Sequence, residues 1–386
     1  MPRGAGEEPV PSPHLAPRVG EPPGLDDVDR PPAIYGPGNF RVRMPLVFVP
    51  GILGSQIDVT APGKLSPEQL WPPSPKLAWP PISLYGDHGP LSLLADPKRT
   101  KTASMLLPFV YDPLIKFLGT IGYSERNGNL LVFPYNWTQS NDVSGGQLAE
   151  AIRAFLKGHP GKKAGVLNHS MGGIVTRSAI VNHGAGDLID RTMYLASPHY
   201  GAVKAYTFIK SEMLPDTDWF MKSWLASKAY SWVRHPTDPD ELKDVLKRML
   251  LSIPSVYELL PDNFYLNGSH AMVEKPPGPS LTNINDIYFG VEASRIGADY
   301  QGLARNALQF KRNLGGSIPG EHILLFSKKH DTLDCATQHP LPWGWEFKDT
   351  GQHGDGTVPA DSARALGSGS AAKCVTGNHS ELPNHE

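Results

Sequence analysis

Short apolar runs separated by helical spacers set the pattern of this chain. Pro45-Leu46-Val47-Phe48-Val49 is almost wholly apolar, as expected for a strand buried on both faces of a parallel sheet. Leu130-Leu131-Val132-Phe133, Ala164 to Leu167, Arg191 to Ala196 and His322 to Ser327 predict further strands. Between them, Asp112 to Ile121 reads as a helix ended by Gly122. Ser144 to Lys157 carries Leu148, Ile152 and Phe155 at helical spacing before Gly158. Ile174 to Asn182 predicts another helix. Strands alternating with helices predict an α/β protein with a doubly wound, mostly parallel sheet. The segment holding Trp71-Pro72-Pro73 and Trp79-Pro80-Pro81 contains too many prolines for regular structure.

Two stretches stand apart from that alternation. Residues 1–40 are rich in Pro, Gly and charge with few large apolar side chains, which predicts a disordered tail ahead of one domain spanning 41–386. Residues 203–250 look helical and are too long for a single connection, so they predict a helical cap or lid inserted over the sheet edge. Trp219, Phe220, Trp224, Tyr230 and Trp232 crowd into that insertion. They suit either a local core or a lid that covers an apolar pocket and touches a lipid surface transiently.

Composition narrows the function. The 386 residues include 36 basic and 38 acidic side chains, and no basic stripe is present. Nucleic acid is therefore not an expected partner. The two cysteines, Cys335 and Cys374, have no metal-ligand spacing. Unpaired thiols are the expectation, with a single bridge as the alternative. The histidines are scattered and no His-Glu-x-x-His run occurs, so neither a metal nor a cofactor is expected. Met1 to Glu8 lacks the apolar core of a signal peptide, and no apolar run is long enough to cross a bilayer. Those features predict a cytoplasmic enzyme.

The chemistry centres on Gly165-Val166-Leu167-Asn168-His169-Ser170-Met171-Gly172-Gly173. A strand running into a polar His-Ser pair, followed by two glycines and a helix, predicts a sharp turn that exposes the Ser170 hydroxyl. Helix N–H groups would lie behind it. Asn168 stands two before the serine, where the usual pattern has Gly, and its tolerance of unusual backbone angles is the expected reason. A serine nucleophile needs a histidine base, an acid to orient it, and donors for the oxyanion. On sheets of this kind the order is serine, acid, histidine. Asp355, flanked by Gly354 and Gly356, is the favoured acid, with Asp331 as competitor. His379 is the favoured base over His385. The N–H groups of Met171 and of Ile52, in the Val49-Pro50-Gly51-Ile52-Leu53-Gly54 loop, are the expected oxyanion donors.

Five segments then fall in one order. They are Val49 to Gln56, Val132 to Trp137, His169 to Gly173, Ile253 to Pro261, and Gly354 to Pro359. Together they resemble the lecithin:cholesterol acyltransferase family of α/β-hydrolase fold enzymes. That resemblance implies Ser170, Asp355 and His379 as a triad and Ile52 with Met171 as oxyanion donors. It implies acyl transfer from a lipid-like ester through an acyl-serine. Water as acceptor makes an esterase or lipase. An alcohol acceptor makes an acyltransferase with the same residues, and an inactive binding protein of this fold is the third alternative.

Overall fold

The computed structural model describes residues 44–60, 67–72, 93–94, 96, 98–210, 249–267, 273–275, 278–281, 298–317, 320–338, 345–348, 350–351, 353–364 and 371–384. In chain order these contain β1 (Leu46–Val49), β2 (Ser55–Val59), β3 (Glu68–Trp71), β4 (Lys101–Leu106), α1 (Pro108–Thr120), β5 (Leu130–Val132), α2 (Asn141–Leu156), β6 (Ala164–His169), α3 (Gly172–Val181) and β7 (Ile189–Leu195). There follow α4 (Val203–Lys210), α5 (Pro254–Glu258), α6 (Asn263–Asn267), β8 (Val273–Lys275), β9 (Gly278–Leu281), α7 (Ala298–Leu314), β10 (Glu321–Phe326), β11 (Cys335–Gln338), β12 (Trp345–Lys348), α8 (Ala360–Arg364) and β13 (Ala371–Cys374).

The main sheet has six strands in the order β13-β10-β7-β6-β1-β5, and every neighbouring pair is parallel. The alternation within β1 explains its two-sided burial. Val47 and Val49 join a core with Leu148, Ile152 and Val175 from α2 and α3. Phe48 faces the other way, into a core with Tyr111, Leu114 and Leu118 of α1. Buried side chains on both faces are what a doubly wound sheet requires. This is the predicted α/β-hydrolase architecture.

Element boundaries shift from the predicted ones for identifiable reasons. Strand β6 continues past Leu167 through Asn168 and His169, because the backbone of both pairs in register with β7. Helix α2 starts at Asn141 rather than Ser144, since the Ser140 side chain caps it by accepting from the Asp142 N–H at 3.1 Å. Helix α1 starts at Pro108, ahead of the predicted Asp112, with proline in its first turn where no N–H is needed. The proline-rich stretch is a clearer correction. Trp71 ends β3 in a three-stranded sheet ordered β3-β2-β4 that the apolar pattern did not reveal. Its indole N–H donates to the Leu53 carbonyl at 3.1 Å.

The expected tail at 1–40 and the aromatic cluster Trp219, Phe220, Trp224, Tyr230 and Trp232 lie outside the described residues. Cys335 and Cys374 are both free thiols. No helix of the described residues is long and apolar enough to cross a membrane.

Candidate active site

The site lies at the carboxyl ends of β1, β6, β7 and β10, where loops leave a parallel sheet. Ser170 is the first of the two turn residues between β6 and α3, with φ of 53°. Its N–H donates to the Leu195 carbonyl at 2.9 Å, and its carbonyl accepts from the Gly173 N–H at 3.0 Å. The backbone therefore reverses within two residues. The glycines that follow are required by space: a Cβ on Gly172 would lie 2.3 Å from the Pro50 carbonyl oxygen, and one on Gly173 would lie 2.1 Å from Ser197 Oγ.

Asn168 does not have the role expected of it. It sits in extended strand and is not among the described residues with positive φ, which besides glycines are Leu53, Ser170, Ala196 and His353. Its side chain is buried beside the first turn of α3, where Oδ1 accepts from Ser197 Oγ at 3.1 Å. Space for a side chain at 168, not tolerance of an unusual angle, is what allows the replacement of glycine.

Ser170, Asp355 and His379 come together. His379 Nε2 lies 2.8 Å from Ser170 Oγ, and its Nδ1 lies 2.7 Å from Asp355 Oδ2. The other carboxylate oxygen accepts from the Thr357 and Val358 N–H groups at 2.9 and 2.7 Å. The His379 N–H donates to the Asp355 carbonyl at 2.8 Å, which fixes the two loops to each other. Burial alone would raise the Asp355 carboxyl. The His379 ring and the two backbone donors outweigh it and hold the group below the ordinary carboxylate range. Gly356 turns the loop at φ of 85°. Gly354 is needed for room, since a Cβ there would lie 2.2 Å from the Val358 carbonyl. Asp331 is elsewhere: its side chain is exposed and its Oδ1 stands 3.7 Å from His353 Nδ1. His385 lies outside the described residues.

Ile52 and Met171 flank the serine, in the turn after β1 and at the cap of α3. The loop that carries Ile52 is tied down by the sequence motifs themselves. The Trp137 indole donates to the Ser55 carbonyl at 3.2 Å, the Tyr135 N–H donates to Ser55 Oγ at 3.2 Å, and Ser255 Oγ donates to the Trp137 carbonyl at 2.5 Å. Trp71 and Trp137 pack edge to face at 5.5 Å. Three of the motif segments thus converge behind the serine and hold the loop.

Sequence reasoning missed two buried partners of this site. Tyr111 of α1 accepts the Gly51 N–H on its hydroxyl at 2.8 Å, and that hydroxyl lies 2.9 Å from His169 Nδ1. His169 Nε2 lies 3.0 Å from the His379 carbonyl. Burial, then the neighbouring His379, drives the His169 pKa down to about 3, so its ring is neutral. The only signal for Tyr111 was an aromatic within an apolar helix, which any core residue would give.

Above Ser170 and His379 opens a cleft of about 640 Å³, counting space open to solvent. Its walls are largely apolar, including Ile52, Leu53, Val256 and Leu259, with Lys204 and Thr357 as polar members. Ala202 and Leu250 also line it, so both flanks of the expected insertion border the cleft.

The sequence profile described as lecithin:cholesterol acyltransferase matches residues 99–233. That span includes Ser170 and Tyr111, but not the segments of Asp355 and His379. A chain in the crystal structure of a Tle4-Tli4 complex shares the fold with a TM-score of 0.57 at 13% identity, over 88% of this chain and 95% of that one. Over residues 99–233, about a third of its length, the chain is similar to the lecithin:cholesterol acyltransferase family, and its fold is that of an α/β-hydrolase. Two other solved structures match this chain at TM-scores too low to bear on its chemistry. They are the mature lipase BlEst2 of Bacillus licheniformis (0.36, 15% identity, 88% of this chain and 86% of that) and the carboxylesterase CesB of Bacillus subtilis (0.29, 12% identity, 89% and 80%). No curated protein sequence matches the chain.

Proposed function

We propose that this hydrolase cleaves lipid-like carboxylic esters through an acyl-Ser170 intermediate that water then releases. The observation carrying the proposal is the unbroken Asp355–His379–Ser170 hydrogen-bonded chain at the floor of an apolar cleft. In the first half-reaction His379 Nε2 takes the Ser170 proton as Oγ attacks the ester carbonyl. Asp355 holds the imidazole by Nδ1 and stabilises the imidazolium that forms. The N–H groups of Ile52 and Met171 receive the developing oxyanion, each such donor contributing about 3 kcal/mol. The imidazolium then protonates the departing alcohol. In the second half-reaction His379 deprotonates water, which attacks the acyl-serine, and Ser170 recovers its proton.

An alcohol can replace that water. The description of the matching family favours this second reading, in which the same acyl-serine is passed to a hydroxyl acceptor.

One experiment addresses both. Fluorophosphonate labelling locates the nucleophile, and a panel of esters of graded chain length, with and without added alcohol, is analysed for free acid and new ester. The expected result is label on Ser170 and rates that favour apolar acyl chains. New ester in preference to acid would select the acyl-transfer reading. Appreciable turnover by Ser170→Ala on every ester the parent cleaves would remove the proposal.

A further inference from the structure

The Gly51, Tyr111, His169 and His379 groups form one chain of hydrogen bonds whose proton order has a single solution. The His379 carbonyl can only accept, so the His169 Nε2 at 3.0 Å carries the proton. A neutral ring then leaves Nδ1 as a lone pair, and the Tyr111 hydroxyl at 2.9 Å must donate to it. The Tyr111 oxygen is left to accept the Gly51 N–H at 2.8 Å. Each donor points the same way, from the loop after β1 to the backbone of His379. Bonds aligned in this manner polarise one another, and a low-dielectric setting strengthens them.

The setting is rigid. Tyr111 is 1% exposed, and His169 and His379 are 4% and 2% exposed. The Tyr111 ring packs edge to face on Phe48 at 5.1 Å and on His169 at 5.8 Å. The His169 and His379 rings lie 4.9 Å apart. Gly51 itself is pressed against the nucleophile, since a Cβ there would lie 2.9 Å from Ser170 Cβ. The chain of bonds therefore begins one residue before Ile52 and ends on the main chain of the base.

We propose that Tyr111 and His169 are positioning residues that hold the Ile52 loop and His379 in one frame, so that oxyanion donor and base meet the same reacting carbonyl. The inference rests on the roles given above to Ser170, Asp355, His379 and Ile52. Neither positioning residue touches substrate. Both act through the groups they bond. A misplacement of about 1 Å at such a constellation costs about 100-fold in rate, and the relay joins these two backbone segments through two buried side chains.

The test uses the full chain with active sites counted by fluorophosphonate titration. kcat and KM are measured on a soluble short-chain nitrophenyl ester, and the thermal midpoint is recorded beside them. Tyr111→Phe removes one oxygen and both of its bonds. It is expected to lower kcat per titrated site by about 10- to 100-fold with KM within about twofold. His169→Phe should fall by a similar factor, and the double variant should be no worse than the poorer single one, because each removes the same connection. His169→Gln keeps an N–H within reach of the His379 carbonyl and should recover much of the loss. Unchanged kcat per titrated site in Tyr111→Phe and His169→Phe, with only a lowered midpoint, would overturn the proposal. Strictly additive losses would do the same. If His169→Phe does not fold, Tyr111→Phe decides alone by its kcat. The underlying roles are checked separately: a parent enzyme not labelled at Ser170 removes both claims, whereas normal labelling with unaltered variants removes only this one.

Discussion

Ser170 has neighbours that leave little freedom at any position around it. Its replacement by alanine removes the proposed nucleophile and its side-chain hydrogen bond to His379. Ser170→Ala is expected to lower kcat by roughly 10⁶-fold with a thermal midpoint close to the parent's. Asp355→Asn should cost roughly 10⁴-fold by presenting the wrong hydrogen-bonding partner to His379 Nδ1. Asp331→Asn, at an exposed side chain, should change kcat little, and steady-state assay of the two variants gives the ranking. Gly173→Ala puts a methyl group onto Ser197 Oγ and Asn168 Oδ1, so a lowered midpoint accompanies any loss of rate. The three residues of the hydrogen-bonded chain were legible because each belongs to a local pattern of glycines or to the serine-acid-histidine order. Tyr111 was not, because an apolar helix with one tyrosine has the same pattern whether the hydroxyl meets solvent, a core carbonyl or a loop at the site. Asn168 was legible as an anomaly but not in its cause, which is the space beside α3.

Among the elements, α5 and α2 are joined by one buried carboxylate. Glu258 accepts from Ser140 Oγ at 2.6 Å and from the Asn141 N–H at 2.7 Å, at the start of α2. Burial pushes its pKa up to about 7 against these donors. A carboxyl raised above its unfolded value binds its proton more tightly in the folded state. Its contribution is thus fullest below the unfolded pKa and is lost as pH rises through the window from about 4.5 to about 7. Glu258→Gln removes that dependence. The midpoint of the variant relative to the parent should climb across this window, as thermal melts at steps of pH will measure. His169 works in the opposite sense, since its lowered value makes stability fall as pH drops from about 6.5 towards 3. Only the difference between variant and parent isolates Glu258.

The C-terminal loop is held to α1 by another side chain. Asn384 Nδ2 donates to the Val110 carbonyl at 2.7 Å, and its Oδ1 accepts the Leu114 N–H at 3.2 Å. Asn384→Ala should lower both the midpoint and kcat, because the same loop carries His379. The strands of the main sheet were legible from their apolar runs. The three-stranded β3-β2-β4 sheet was not: β2 and β4 are polar at several positions, and proline beside Trp71 argued against a strand that ends there.

At the scale of the molecule, the order β13-β10-β7-β6-β1-β5 brings together groups 209 residues apart in the chain. β6 and β7 are consecutive strands that pair, but β1 lies between β5 and β6, so alternation could foretell a parallel sheet but not which strand lies beside which. One feature of that assembly reaches further. Among the described residues, four other than glycine adopt left-handed backbone: Leu53, Ser170, Ala196 and His353. All four lie in the loops around the site. Each such conformation costs about 1–2 kcal/mol, and a domain is stable by only about 5–15 kcal/mol. Glycine would relieve the strain, less about 0.5–1 kcal/mol of added freedom in the unfolded chain. At Leu53 and Ala196 it would also delete buried apolar surface, whereas at Ser170 and His353 it would not. Directed evolution of this protein for heat resistance alone should therefore accumulate glycine at Ser170 and His353, and sequencing of survivors would reveal it. Lineages screened for turnover as well would keep the serine and admit glycine only at 353. Divergence between the two populations at a single codon would mark the place where thermal robustness and catalysis compete for the same backbone.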